Sequence, residues 1–382
     1  MIEFKNKIKR TILKSNVWHQ PLEFKGHLYF IAIEGMTSID DFEKITLHKY
    51  NLEKGISSKK IDIPYNNSNL YTTNFRLYKD NNNIYISYAG HLLKTNLNLG
   101  KPSIYILSKE QFQTKHPPSV KFGQCYFNNN LVFSYLNRDG NNIIYAYNFE
   151  TGKFIWEYNL NLRVRRFVGN SHSIFVSVSG RILCINSKTG EEAWNFLLNE
   201  NIDNQAQKHK INSYLILEKN SIVFATNNGQ VISLNAETGK ENWSIQLDNL
   251  NAKSLKFDSH SKLFYILDPD NSYVTINESG KVITSVKMDF ENFKRINSLG
   301  IITKFAITEH YIIASDISTG VIFFIDKFTG EILWHYNLNI DGSIANNNIP
   351  IVHNDSVYIL DTHYEHRFGG TIHKLEFESN GS

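Results

Sequence analysis

The chain has 382 residues, 41% of them hydrophobic and 20% charged, with a formal net charge of +3 and two cysteines. That balance excludes a disordered polyelectrolyte and a disulfide-stapled mini-domain, and it is too weakly basic to argue for nucleic acid as a partner. No apolar run is long enough to cross a bilayer as a helix, so a membrane is not an expected partner either.

At the N-terminus Ile2, Phe4 and Ile8 alternate with Glu3, Lys5, Lys7 and Lys9. This reads as one orphan strand over residues 2–9. Charges interrupt every apolar stretch of the first thirty residues, leaving no signal-peptide core, and a cytoplasmic, bacterial protein is the expectation. Along the chain a hairpin then recurs. It is degenerate at Asn51 to Gly55 and Asn96 to Gly100, with Lys59 and Ile104 four residues beyond the glycine. Four strong copies run from Asn148 to Gly152 and Trp156, Asn186 to Gly190 and Trp194, Asn235 to Gly239 and Trp243, and Asp326 to Gly330 and Trp334. A shorter copy, Asn277 to Gly280, offers Thr284 instead, and the last stops at Asn380-Gly381.

The physics of the unit is local. An Asx side chain accepts from backbone amides two residues on, and glycine supplies the positive φ that closes a tight loop. The returning Trp places a large flat ring where one sheet can lie against the next, and an isolated hairpin cannot bury it, so the units must stack. Apolar strands precede the turns at 27–33, 83–88, 131–135, 174–178, 222–225, 263–267, 311–314 and 357–360. A period of roughly 40 to 50 residues with about four short strands per unit predicts an all-β chain folded as a single β-propeller domain over residues 1–382. Eight four-stranded antiparallel blades are expected, seven being the alternative. Because the last unit lacks a fourth strand, the segment at 2–9 is expected to supply it and to latch the ring. Its lysines then guard an edge.

The run Ala146-Tyr-Asn148-Phe-Glu-Thr151-Gly152-Lys-Phe-Ile-Trp156 resembles the AxDxxTGxxxW repeat of the pyrroloquinoline quinone (PQQ) family of propellers. The other strong copies carry Cys184, Ser233 and Phe324 at the small-residue position. The resemblance implies an eight-bladed ring in which Trp156, Trp194, Trp243 and Trp334 dock each blade onto its neighbour. It does not imply one activity, since the family holds quinoprotein dehydrogenases, an outer-membrane assembly lipoprotein and cofactor-free scaffolds. The dehydrogenases resemble this chain in the repeat but carry a disulfide of neighbouring cysteines, a calcium site and an Asp base. Cys125 and Cys184 are not neighbours and read as small buried hydrophobes. Of the five tryptophans only Trp18 is left to stack on a cofactor, so no cofactor, metal or catalytic residue is assigned.

Two segments are candidates for contacting a partner. Arg163, Arg165 and Arg166 suit a carboxylate or phosphate, because each guanidinium binds as a bidentate fork; a solvated edge is the alternative. The stretch from Asp361 to His373 gathers His363, Glu365, His366 and Arg367 beside Gly369-Gly370; metal ligation, partner contact and an ordinary polar loop all remain open there. Long polar interruptions at 109–118 and 201–210 mark inter-blade loops, where recognition usually sits. No Ser-His-Asp set, phosphate loop, HExxH or CxxC motif occurs. The expectation is a non-catalytic scaffold that binds a protein partner, in its sharpest form an immunity-type protein that blocks an effector. The alternatives are an oxidoreductase using the central funnel and a periplasmic assembly scaffold.

Overall fold

The computed structural model describes residues 8–17, 20–35, 42–64, 75–88, 91–106, 126–128, 131–138, 141–160, 162, 164–178, 180–198, 210–247, 254–268, 272–288, 305–315, 320–338, 342–344, 349–354, 356–363 and 370–377. Among these every regular element is a strand. The strands form eight antiparallel blades, so the ring has eight and not seven.

Blade 1 comprises Leu22–Phe24, His27–Glu34, Lys44–Asn51 and Ile56–Ile63, and blade 2 Arg76–Lys79, Asn83–Tyr88, His91–Asn96 and Ser103–Ile106. Blade 3 follows with Tyr126–Asn128, Leu131–Arg138, Asn141–Asn148 and Lys153–Leu160, and blade 4 with Val164–Gly169, Ser173–Val178, Arg181–Asn186 and Glu192–Leu197. Blade 5 is Ile216–Glu218, Ser221–Ala225, Gln230–Asn235 and Glu241–Gln246, and blade 6 Ser254–Asp258, Leu263–Leu267, Ser272–Asn277 and Val282–Lys287. Blade 7 is Phe305–Ile307, Tyr311–Ser315, Val321–Asp326 and Ile332–Asn337. Blade 8 takes three strands from the C-terminus, Ile351–His353, Ser356–His363 and Gly370–Phe377, and its fourth, Ile8–Val17, from the N-terminus. First strands of adjoining blades approach one another, which sets them around the axis and the fourth strands at the rim.

The core is divided among the joints. Each of eight apolar clusters joins one blade to the next, and the last unites Leu28, Phe30 and Ala32 of blade 1 with Tyr358, Leu360 and Ile372 of blade 8. Alternation explains this: both faces of a middle strand are buried, each against a different neighbour. On Leu131–Arg138, for example, Val132 faces blade 2 and Phe133 faces blade 4.

The turns have the expected chemistry. Asn148 Oδ1 accepts from the amides of Glu150 and Thr151, both at 3.0 Å, and Asn186, Asn235 and Asp326 repeat the pattern at the amides two and three residues on. Gly152, Gly190, Gly239 and Gly330 hold φ between 68° and 77°. The small-residue position is explained by register, since Ala146, Cys184 and Ser233 lie directly opposite Trp156, Trp194 and Trp243 on the neighbouring strand. Where Phe324 replaces the small residue, its ring stacks on Trp334.

The closing strand differs in position from the expected one. It spans Ile8–Val17 and takes in Ile8 and Lys9 of the segment at 2–9, whose residues 2–7, Lys5 and Lys7 included, lie outside the described residues. Packing decides the register. Val17, 1% exposed, must reach the last joint, where it pairs with Gly370 of blade 8 and Ala32 of blade 1. Two bulges in the pairing with Gly370–Phe377 accommodate that reach. Only Val17 pairs with blade 1, and the remainder of the strand pairs with Gly370–Phe377 alone, as the outer strand of blade 8. Among the described residues no helix is long and apolar enough to cross a membrane.

Candidate binding face

Every blade runs in the same sense, so the ring has two chemically different faces. One carries the Asx-Gly turns between third and fourth strands together with the turns between first and second strands. The other carries the connections between second and third strands and the crossovers from one blade to the next.

On the turn face Lys79, Asp80 and Lys327 are engaged by neighbouring groups. Lys79 Nζ donates to the Glu23 carbonyl at 3.1 Å and lies 4.4 Å above the Phe24 ring. Burial lowers its pKa, opposed in part by the Glu23 charge. Asp80 accepts from Tyr85 Oη at 2.6 Å and from the amides of Asn82 and Asn83. Lys327, 2% exposed, pairs with Asp258 at 2.7 Å and donates to the Thr308 carbonyl at 2.9 Å, tying blade 6 to blade 7.

Trp156 is buried and donates from Nε1 to the carbonyl of Ser187 at 2.9 Å. Trp194 and Trp243, half-buried, reach the carbonyls of Ala236 and Glu278 at 3.0 and 2.8 Å. Each accepting residue directly follows the turn Asx of the next blade. The glycine of that turn lies flat on the ring: a Cβ added at Gly190 would meet Trp156 at 2.6 Å, and one at Gly239 would meet Trp194 at 2.6 Å. Trp334 joins the cluster shared with Val357, Ile359 and Leu375 of blade 8. Cys184 is free and buried, its thiol pKa pushed up by burial, while Cys125 and Trp18 lie outside the described residues.

The crossover face holds the candidate residues. Arg165 and Arg166 are the second and third residues of the first strand of blade 4, and Arg163 lies outside the described residues. The Arg165 side chain is exposed and makes no hydrogen bond or ion pair among the described residues, while its carbonyl accepts from Arg166 Nη1 at 3.2 Å. The Arg166 guanidinium stacks 4.5 Å from the ring of Tyr214, a 43% exposed residue just before the first strand of blade 5. His363 ends the second strand of blade 8 on this same face, paired with Gly342; Glu365, His366 and Arg367 lie outside the described residues. The topology thus brings Arg165, Arg166 and His363 to one face. It also separates the histidine-rich stretch, because Asp361 and His373 turn inward between blades 7 and 8. Asp361 Oδ2 meets His373 Nε2 at 2.5 Å, and Arg10 Nε donates to His373 Nδ1 at 3.0 Å. A guanidinium only donates, so Nδ1 accepts and the ring proton faces Asp361. Arg10 also reaches the Leu338 carbonyl of blade 7, and the trio latches the N-terminal strand in place.

Sequence reasoning missed a further repeat on this face. Arg76 lies four residues before the Asp80 turn and pairs across the sheet with Ser87; Arg166 lies four residues before the Asn170 turn and pairs with Ser177. The intervening residues match in kind, with Asn83-Ile84-Tyr-Ile-Ser87 against Ser173-Ile174-Phe-Val-Ser177. Aligning first strands rather than Trp turns is the signal that finds it. The hydroxyls of Ser87 and Ser177 and Nε of Arg76 are buried without a hydrogen-bond partner. Among the described residues no group of three or more His, Cys, Asp or Glu is arranged to hold a metal ion.

Residues 110–254 match the family model described as outer membrane protein assembly factor BamB. No curated protein matches the chain. Its fold is similar to that of BamB from Moraxella catarrhalis, at 14% identity and TM-score 0.60, over 97% of this chain and 99% of that one. It is also similar to the computationally designed Ika8 protein, at 14% identity and TM-score 0.61, over 94% and 95% of the two chains. A europium-containing methanol dehydrogenase matches at 12% identity and TM-score 0.63, over 98% of this chain and 94% of that one.

Proposed function

We propose that this chain, a β-propeller of the PQQ-repeat kind, is a non-catalytic scaffold that binds a protein partner on its crossover face. The observation that carries the reading is the arginine pair on the crossover face, where Arg165 stands exposed and Arg166 is propped on a partly exposed tyrosine. Exposed arginine and tyrosine of this kind are the residue types that anchor protein interfaces. The match to an assembly factor supports a binding role in general. A narrower form of the proposal is an immunity-type protein that blocks one effector, for which compact, specific binding is the requirement.

Pull-down from native lysate with mass spectrometry, run beside thermal shift with calcium and PQQ, tests this. A stoichiometric protein partner and no ligand shift supports the scaffold. A saturable shift with the quinone and no partner would replace it with the oxidoreductase reading, for which the likeness to the methanol dehydrogenase provides the precedent of fold.

A further inference from the structure

Two arginine–serine pairs stand on the crossover face, Arg76 with Ser87 and Arg166 with Ser177. In blades 5 and 6 the positions that correspond to the arginines are Ser213 and Ser254, whose hydroxyls bond to the backbone opposite, Ser213 to the Ala225 amide and Ser254 to the Leu267 carbonyl. At the register of Ser87 and Ser177, blade 7 also buries an unpartnered hydroxyl, that of Ser315, while blades 5 and 6 carry Ala225 and Leu267, which have none. Ser87 and Ser177, 1% and 0% exposed, are orphaned, and each lies directly across the strand pair from an arginine. Directly opposed side chains stand about 5 Å apart at Cβ, close enough for guanidinium and hydroxyl to donate to one acceptor. A buried donor left unpaired costs stability, and in Ser87 and Ser177 that donor faces an arginine both times.

We infer that Arg76 with Ser87 and Arg166 with Ser177 are two carboxylate-binding positions, and that together they take an acidic segment of a polypeptide. This rests on the protein-binding proposal above. The acceptor must be anionic and planar, since a guanidinium fork and a neutral donor converge on it, which is what a carboxylate offers. Tyr214 holds the Arg166 plane in place before any ligand arrives, reducing the ordering cost of binding. The positions lie on blades 2 and 4 with all of blade 3 between them, so one small anion cannot serve both. A chain bearing successive carboxylates can, and exposed Arg165 extends the same line.

The test is fluorescence anisotropy of the full chain with dye-labelled hexaglutamate, and hexaserine as the control. Saturable binding of hexaglutamate that weakens with salt is expected, with Arg166→Gln and Arg76→Gln each about tenfold weaker. Ser177→Ala guards against mere misfolding: it should raise the melting temperature, because an orphan donor is removed, while weakening the peptide severalfold. Unchanged affinity in Ser177→Ala and Arg166→Gln would overturn the inference. So would competition by citrate or inorganic phosphate at matched carboxylate concentration, which would assign the positions to free anions. A natural partner retained equally by wild type and by Arg166→Gln would overturn it too while leaving the scaffold reading intact.

Discussion

The hydroxyl of Tyr29 donates to the carbonyl of Leu97 at 2.9 Å, the residue that follows the Asn96 turn of blade 2. This is the acceptor position that Trp156, Trp194 and Trp243 reach with indoles in the joints that follow blades 3, 4 and 5. Blade 1 has no Trp, and Tyr29 on a middle strand supplies the donor instead. Blade 6 solves the problem in yet another way, with Tyr273 donating to the carbonyl of Lys327. Five joints thus aim an aromatic donor at the same backbone carbonyl, and the repeat tolerates several ways to provide it. Burial drives the Tyr29 pKa up to about 12, which keeps the hydroxyl protonated as a donor throughout the ordinary pH range. Tyr29→Phe is expected to cost about 1–2 kcal/mol in urea denaturation, the loss of one buried bond with its ring retained. An unchanged midpoint would show that the carbonyl has found another partner.

The contact of Gly190 on Trp156 makes a pair of substitutions interdependent. Trp156→Ala is expected to cost about 3–5 kcal/mol, because the ring is 8% exposed and leaves a cavity between blades 3 and 4. Gly190→Ala should cost about 2 kcal/mol or more, since its Cβ would strike the indole and its φ is +77°. In the double variant the clash is gone and only the backbone strain persists. The cycle should show about 1 kcal/mol or more of favourable coupling, and strict additivity would mean that the two do not touch in solution.

The latch predicts a different sensitivity. Asp361→Ala removes the acceptor of both His373 Nε2 and the Thr371 amide, each in a buried setting. A loss of about 2–4 kcal/mol is expected in equilibrium denaturation. Hydrogen exchange should then report faster opening at Ile8–Val17 than at the second and third strands of blade 5, since the closing strand depends on that trio. Equal protection in both places would count against the latch.

How far this was legible in the sequence depends on how local the determining physics is. The Asn148, Asn186, Asn235 and Asp326 turns were readable because an Asx cap and a positive-φ glycine act within five residues. The closing strand was readable in kind but not in position: nothing near residues 2–9 records that Val17 must meet Ala32 and Gly370, a constraint set by residues far away in the chain. The same holds for Asp361 and His373. Their spacing suggests a polar loop, whereas alternation along two strands turns them both inward, and Arg10, 363 residues from His373, decides what they do. Arg165 and Arg166 stood out as a cluster, but Arg76 did not, because its relation to Arg166 is one of register within the blade and not of neighbourhood.

Asp258 and Lys327 yield the last prediction, which concerns acid. Burial alone would raise the Asp258 pKa, but the Lys327 ammonium, the Ser261 hydroxyl and the amides of His260 and Ser261 outweigh it and hold the carboxyl at about 2. Its unfolded value is near 3.9. A depressed folded pKa means that the unfolded chain binds the proton first, so this contribution is complete above about pH 4 and is lost as pH falls toward 2. Asp258→Asn removes the charge and leaves a 2% exposed ammonium with neutral acceptors, the Thr308 carbonyl and the new amide oxygen, and the Tyr265 ring face. A loss of about 3 kcal/mol is expected at pH 7, where breaking one side of a buried pair strands the other. Between pH 4 and 2 the stability curve of the variant should be shallower than that of the wild type, by the share one carboxylate contributes. Parallel curves would mean that Asp258 does not ionise against Lys327, and that blades 6 and 7 are held by their apolar cluster alone.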